Sequence, residues 1–206
     1  MRSYPGLRAH PAYEYTWLHM TFALSASQLR RSAGCLKPEA IFLFLAASFG
    51  LAILFANAPF QAPDENDHYF RAFQLSEGTL IGEKLGNSSG GELPKLAIDV
   101  TDTDGIAFHS EKKMTRGLFV RLLHPFFVNW GGSTRIFHGF PHTEVYSPAG
   151  YLPQLVALFI GRMFRIGPLA LMYLARLSAF AASVALGYIA LRTLPLYRWT
   201  TLVLLL

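Results

Sequence analysis

At 206 residues, 52% of them hydrophobic and only 15% charged, with a mean hydropathy of +0.30, the chain is too apolar for an ordinary soluble domain and fits a protein that spans a membrane several times. Its net charge of +5 is no nucleic-acid signature, because the basic residues are scattered beside apolar segments and form no phosphate-tracking patch. The lone Cys35 excludes an intrachain disulfide.

Residues 1–38 lack sustained periodicity and are broken by Pro5, Gly6, Pro11 and Gly34, which predicts an N-terminal tail without a long helix. The tail is basic, with Arg2, Arg8, Arg30, Arg31 and Lys37 against Glu14 and Glu39, so the positive-inside rule places it in the cytoplasm. From Ala40 to Phe60 there is no charge, and about 20 residues at 1.5 Å per residue cross the ~30 Å hydrocarbon core. Residues 39–60 are therefore read as span 1. Ala56-Asn57-Ala58 has the form of a signal cleavage site, but the apolar run exceeds the usual h-region and Pro59 would follow the cut, so the span is read as retained.

The next segment, 61–145, carries eleven Asp and Glu across 59–145 against eight Lys and Arg, and is read as a large extracytoplasmic loop with structure of its own. Asp64 is an N-cap candidate for a helix over 64–77, whose Tyr69, Phe70, Ala72, Phe73 and Leu75 suit an interfacial position; Gly78 ends it. Residues 82–105, rich in Gly, Ser and Asp, read as loop. A second interfacial helix is expected within 114–130, closed by Trp130 in an aromatic belt. Spans 2 and 3 are placed at 146–161 and 166–191, with Arg162 and Arg165 cytoplasmic; this leaves Arg192 and Arg198 outside, against the positive-inside rule. The apolar stub 199–206 cannot cross a bilayer, so the chain is expected to be the front part of a longer protein with a fourth span beginning there. The fold class is thus all-α integral membrane, a multi-spanning helical bundle with a large extracytoplasmic first loop bearing interfacial helices.

Chemistry concentrates in Pro63-Asp64-Glu65-Asn66-Asp67-His68, just after span 1, where crowded carboxylates invite a proton, a cation or a basic group. From spacing alone, helix capping and dipole complementation are the favoured account of Asp64 and Glu65. In a helix, His68 and Arg71 share a face with Asp64 and Asp67, so Asp67 and Arg71 make either a surface ion pair or a site in which Arg71 grips a phosphate oxygen and His68 orients an acid. Arg176, inside the third span, is either a phosphate or lipid-headgroup contact or a clamp on another span through a carboxylate expected outside this fragment. Tyr146, Tyr151 and Gln154 line the same outer cavity or anchor the interface. Gly139 and Pro141 break the helix that would align His138 and His142 on a metal. No nucleotide-phosphate loop, dinucleotide fingerprint or nucleophile elbow is present.

Two stretches carry a resemblance. Ala62-Pro63-Asp64-Glu65-Asn66-Asp67-His68-Tyr69-Phe70-Arg71-Ala72-Phe73-Gln74-Leu75-Ser76-Glu77-Gly78 resembles the P-D-E-x-x-H-x-x-R-A-x-x-L-S-x-G pattern of a bacterial membrane family called domain of unknown function 2142. Tyr146-Ser147-Pro148-Ala149-Gly150-Tyr151-Leu152-Pro153-Gln154, then Gly161-Arg162 and Arg176-Leu177, are similar to its Y-S-P-x-x-Y-L-P-Q, G-R and R-L signatures. That family looks like the C-type membrane glycosyltransferases. The resemblance implies an inner-membrane protein that moves a sugar from a polyprenyl-phosphate donor to an envelope glycan or lipid acceptor. Asp64 or Glu65 would be the catalytic acid, or would hold a divalent cation, with no other cofactor implied; His68, Arg71, Tyr146 and Arg176 would contact substrate. The alternative is a noncatalytic glycolipid-handling or assembly component, and a third is that this chain alone is inert.

Overall fold

In the computed structural model, residues 37–103, 109, 111–194 and 197–206 are described, so the expected tail over 1–38 lies almost wholly outside them. Helix α1, Pro38–Ala56, opens with proline at its first position, where the missing N–H costs nothing, and continues without charge beyond Glu39. Phe44, Phe49, Ile53 and Phe55 point outward, as on a helix meant for an apolar solvent. Helix α6, Pro168–Thr193, is the second long apolar element; these two are the described helices long and apolar enough to cross a membrane.

The two run antiparallel. The ring of Phe42 fills the space that a Cβ at Gly187 would occupy, and Phe180 does the same at Gly50, so the start of α1 meets the end of α6. Helix α7, Arg198–Leu205, closes this layer through Leu202, which shares a small core with Phe42 and Leu191.

A second body is built on the end where α1 finishes and α6 begins. Its centre is α2, Glu65–Ser76, in which every residue from Tyr69 to Ser76 is buried. The expected interfacial helix is therefore an interior one, covered on its sides by other elements. One cover is an antiparallel sheet in the order β1 (Glu83–Leu85), β2 (Ser88–Pro94), β3 (Arg135–Gly139), followed from β2 by the short α3, Lys95–Asp99. This sheet corrects both the all-α class and the loop reading of 82–105. Strand β2, Ser-Ser-Gly-Gly-Glu-Leu-Pro, has neither β-branched residues nor an apolar alternation, and its pairing is fixed from outside. Gln74 Nε2 donates to Gly90 O at 3.2 Å, and the Gln74 side chain occupies the space that any side chain at position 91 would need.

Helix α4, Arg116–Leu123, is capped by Thr115, whose hydroxyl accepts from Leu118 N at 3.1 Å. The Trp130 indole N–H donates to Ile166 O at 3.0 Å and its ring packs on Phe73. Helix α5, Leu152–Met163, follows a 3-10 turn over Pro148–Tyr151. Twelve residues make about 18 Å, short of a hydrocarbon core, so the 146–161 stretch differs from the span expected there. Arg162 at its end reaches back to the loop it was expected to oppose, at 3.1 Å from Ser76 Oγ and 3.2 Å from Glu77 Oε1. The chain then turns at Arg165, with φ of 57°, and folds α5 onto the first half of α6.

Because the Phe42 ring closes over Gly187, Gly187→Val is expected to lower stability by about 1–3 kcal/mol, an overpacking cost. Adding Phe42→Ala to that variant should restore part of the loss. Thermal unfolding of the purified protein in detergent checks both.

Candidate functional site

The last carbonyls of any helix lack partners within the helix. At the end of α1 they find Arg176, on the ninth residue of α6. Its Nη1 donates to Leu54 O at 3.2 Å and Asn57 O at 2.9 Å, and its Nη2 donates to Ala58 O at 3.1 Å. The remaining donors make a bidentate pair with Glu65 in the first turn of α2, Nε to Oε1 at 2.5 Å and Nη2 to Oε2 at 2.7 Å. All five guanidinium N–H groups are thereby used. The pair is largely enclosed, with Arg176 13% and Glu65 17% exposed at the side chain. The carboxylate that Arg176 clamps is in this chain, and it is Glu65.

The link from α1 to α2 is tight. Phe60, fully buried, and Asp64 both have positive φ, 55° and 59°, a conformation that costs a non-glycine residue. Asp64 stands at the N-cap position, but in the left-handed region it makes no side-chain cap hydrogen bond, which corrects the expected capping role. Its carboxylate is exposed at the surface of the link.

Next to this hinge is a cleft of about 190 Å3, lined by Glu65, His68, Tyr69 and Ala72 of α2, Tyr151 and Gln154 at the start of α5, and Met172, Ala175, Arg176 and Ala179 of α6. Local sequence explains how Tyr151 arrives there. Ser147 Oγ accepts from Ala149 N at 3.3 Å and Pro148 starts the 3-10 turn, which delivers Tyr151 three residues on. Tyr151 Oη lies 2.8 Å from His68 Nδ1, and the exposed Tyr146 stacks on the same imidazole at 5.9 Å and 9°. Burial pushes the Tyr151 hydroxyl upward from its usual pKa, so it stays protonated at neutral pH. Tyr69 and Gln154 stand out: the Tyr69 hydroxyl and the Gln154 carbonyl oxygen are buried without any protein partner.

The remaining acids and bases divide between mouth and frame. Burial holds the Asp67 carboxyl above the ordinary value of 3.8, with Asp64 adding to the rise and His142, His138 and His68 opposing it. Arg71 does not pair with Asp67. It is 2% exposed, donates to Gln74 Oε1 at 2.6 Å and to Leu80 O at 3.0 Å, and keeps its Nε without a partner, so it holds the 77–82 turn and does not line the cleft. Among the described residues no three His, Cys, Asp or Glu side chains gather as a metal-ligand set, and both Glu65 oxygens are taken by Arg176. Of the residues singled out in the sequence, Glu65, His68, Tyr151, Gln154 and Arg176 come together in one cleft. Tyr146 stacks at its edge and Asp64 stands at the surface of the adjoining link. Tyr69 was missed, because its sequence context reads only as one more apolar position on α2.

The described residues form a mostly helical chain with two helices long and apolar enough to cross a membrane and a structured body at one end. Residues 43–206 match the family described as "Predicted membrane protein (DUF2142)", and the chain belongs to that family. No curated protein and no solved structure matches it.

Two outcomes follow from the geometry. Glu65→Gln leaves an enclosed guanidinium uncompensated, and breaking such a pair costs about 3–5 kcal/mol; Arg176→Lys should be similarly unstable, since an ammonium offers three donors where five are used. Thermal unfolding in detergent measures both. For Asp67, folding raises the affinity for a proton, so the contribution of this group to stability falls as pH rises through 3.8 and remains unfavourable at neutral pH. Asp67→Asn should therefore melt above the parent at pH 7, with the gap closing on acidification below about pH 4, as read in parallel melts across pH.

Proposed function

We propose that this chain works as a membrane glycosyltransferase of the C-type arrangement, moving a sugar from a polyprenyl-phosphate donor to an envelope glycan or lipid at the outer face of the inner membrane. The observation that carries the reading is Asp64: an exposed carboxylate held at φ of 59° on the link that leaves the membrane-competent helix, beside a cleft. Backbone strain of this kind gathers where a site needs a particular side-chain placement.

In the proposed reaction the acceptor hydroxyl attacks the anomeric carbon and gives its proton to Asp64. The bond from that carbon to the phosphate oxygen breaks, and the lipid phosphate leaves with the electron pair. Glu65 takes no proton in this scheme, because its charge is matched by Arg176; it positions Asp64 by fixing the first turn of α2. The antiparallel pair also supports a simple topology. If the start of α1 is cytoplasmic, α6 returns to the same side, and Lys37, Arg192 and Arg198 all lie inside, which removes the conflict left by a span at 146–161. Residues 61–167 are then extracytoplasmic.

One observation favours the rival, a noncatalytic glycolipid-handling protein: with Glu65 fully paired, the link offers a single uncommitted acid.

Reconstituted protein supplied with polyprenyl-phosphosugars decides between them. Asp64→Asn is expected to reduce transfer by about 10²–10⁴-fold, the usual contribution of a general base. Transfer at the parent rate by Asp64→Asn removes the catalytic reading, and donor binding without any transfer by the parent selects the handling role. In a Cys35→Ala background, a membrane-impermeant maleimide should label Asn87→Cys in intact cells and Tyr197→Cys only after permeabilisation.

A further inference from the structure

We infer that the outward face of α5 is a lipid-docking surface: the helix stands at partial depth in the leaflet beside the second body, without crossing, and the partner of its exposed side is the hydrocarbon of that leaflet. The inference needs α1 and α6 to cross the bilayer and makes no use of the proposed reaction.

Polarity comes first. Leu152, Val156, Phe159, Ile160, Met163 and Phe164 are each between 46% and 71% exposed, and all six are large and apolar. Their spacing puts them on one helix face. The polar residues of the same helix turn inward: the Gln154 carbonyl oxygen is buried, and Arg162 reaches Ser76 and Glu77. A helix with one side in water has the reverse arrangement, and an apolar stripe of this extent marks a contact surface.

Depth is the second argument. Phe42 meets Gly187, Phe180 meets Gly50, Arg176 Nη1 donates to Leu54 O, and Phe55 stacks on Tyr173, so Gly50 is level with about residue 180 of α6 and the last turn of α1 with about residue 173. For α5, Gly161 meets Leu171 and Leu174, and Gln154 lines the cleft with Ala175 and Ala179, which brings Leu152 level with about residue 180 as well. The head of α5 thus lies about six residues below the end of α1 at Ala56, or about 9 Å at 1.5 Å per residue. At that level α1 turns Phe49 and Ile53 outward, so both helices present apolar side chains at one depth. Arg165, exposed just beyond Phe164, then falls at headgroup level, where a cation suits lipid phosphate.

Residue size is the third argument, and it separates lipid from a protein partner. Helices pack on one another in a membrane through small residues. On α5 the small residue Gly161 is turned to α6, where the Leu171 side chain fills the place of its missing Cβ, and the six outward residues are all bulky. Such a face suits mobile acyl chains and not a close-packed helix.

The test uses the full chain with Cys35→Ala, in vesicles of phosphatidylcholine and phosphatidylglycerol, carrying a nitroxide on Leu152→Cys, Val156→Cys or Ile160→Cys in turn. Collision with oxygen and with a water-soluble nickel chelate is read by EPR, with Phe44→Cys on α1 as the lipid reference and Asn87→Cys in the β1–β2 turn as the water reference. All three α5 positions should favour oxygen, as Phe44→Cys does, and the label at 152 should lie deeper than the label at 160 by up to about 12 Å, the length of eight helical residues. Three separate positions, each checked for an unchanged melting temperature, keep a local folding defect from passing for a result. Preference for nickel at Val156→Cys places the face in water, and low access to both reagents places it under protein, whether a second copy or another helix. A label at 152 no deeper than that at 160 removes the descent, and water access at Phe44→Cys removes the crossing on which the depth stands. Each of these overturns the inference, and none bears on whether Asp64 supports sugar transfer.

Discussion

The structure depends on one guanidinium. Arg176 ties together three segments that are far apart in sequence: the end of α1, the strained link after it, and the first turn of α2. Each would otherwise carry an unsatisfied cost. The helix end has free carbonyls, the link holds positive-φ residues at 60 and 64, and Glu65 is a carboxylate in a mostly enclosed position. An arginine suits this junction because its planar fork can hold a carboxylate on one edge and backbone carbonyls on the other, and because a cation at a helix C-terminus complements the dipole. The cost of enclosing a charge near an apolar layer is thus offset at the point where two layers of the protein meet.

From that junction the rest of the site follows. Fixing the first turn of α2 sets the direction of the whole helix, and α2 then acts as the central post of the second body, with Gln74 holding β2, Ser76 meeting Arg162, and His68 facing Tyr151. The sheet is small and Gly-rich on its inner strand, and its function is to close the side of α2 that α5 and α6 leave open. Glu77 performs a related service at the other end of the post, pairing with both Arg135 of β3 and Arg162 of α5. The cleft is what remains at the base of this packing, between the post and the two helices of the α5–α6 hairpin.

How far the sequence revealed this depended on the range of the interaction involved. The long apolar helices were legible because a charge-free run of that length has few other uses, and the helix after Pro63 was legible from its acids, its apolar side and Gly78. Residues 88–94 were not, since Ser-Ser-Gly-Gly carries no strand pattern and takes its conformation from Gln74 and from β3. The stretch 146–161 reads as a span because it is uncharged; its helix is 12 residues long and its Arg162 bonds Ser76 and Glu77 of the second body, partners the sequence does not reveal. For Arg176 the sequence left a phosphate contact and a clamp on a carboxylate outside this fragment both open; the partner is Glu65, 111 positions away, and nothing local marks it. Tyr69 was invisible for a different reason: a tyrosine among Phe70 and Phe73 reads as core, and only its orphaned hydroxyl sets it apart.

Helix α6 belongs to both layers at once. Its first residues, Leu169, Leu171 and Met172, sit in the core of the second body, whereas Gly187 and Leu191 pack with Phe42 of α1. At 26 residues it is a continuous rod of about 39 Å with no proline after its first position. One wall of the cleft and the face that packs on α1 are therefore two ends of the same rod, so a tilt of α6 imposed at its far end is carried without a break to Arg176 and the cleft.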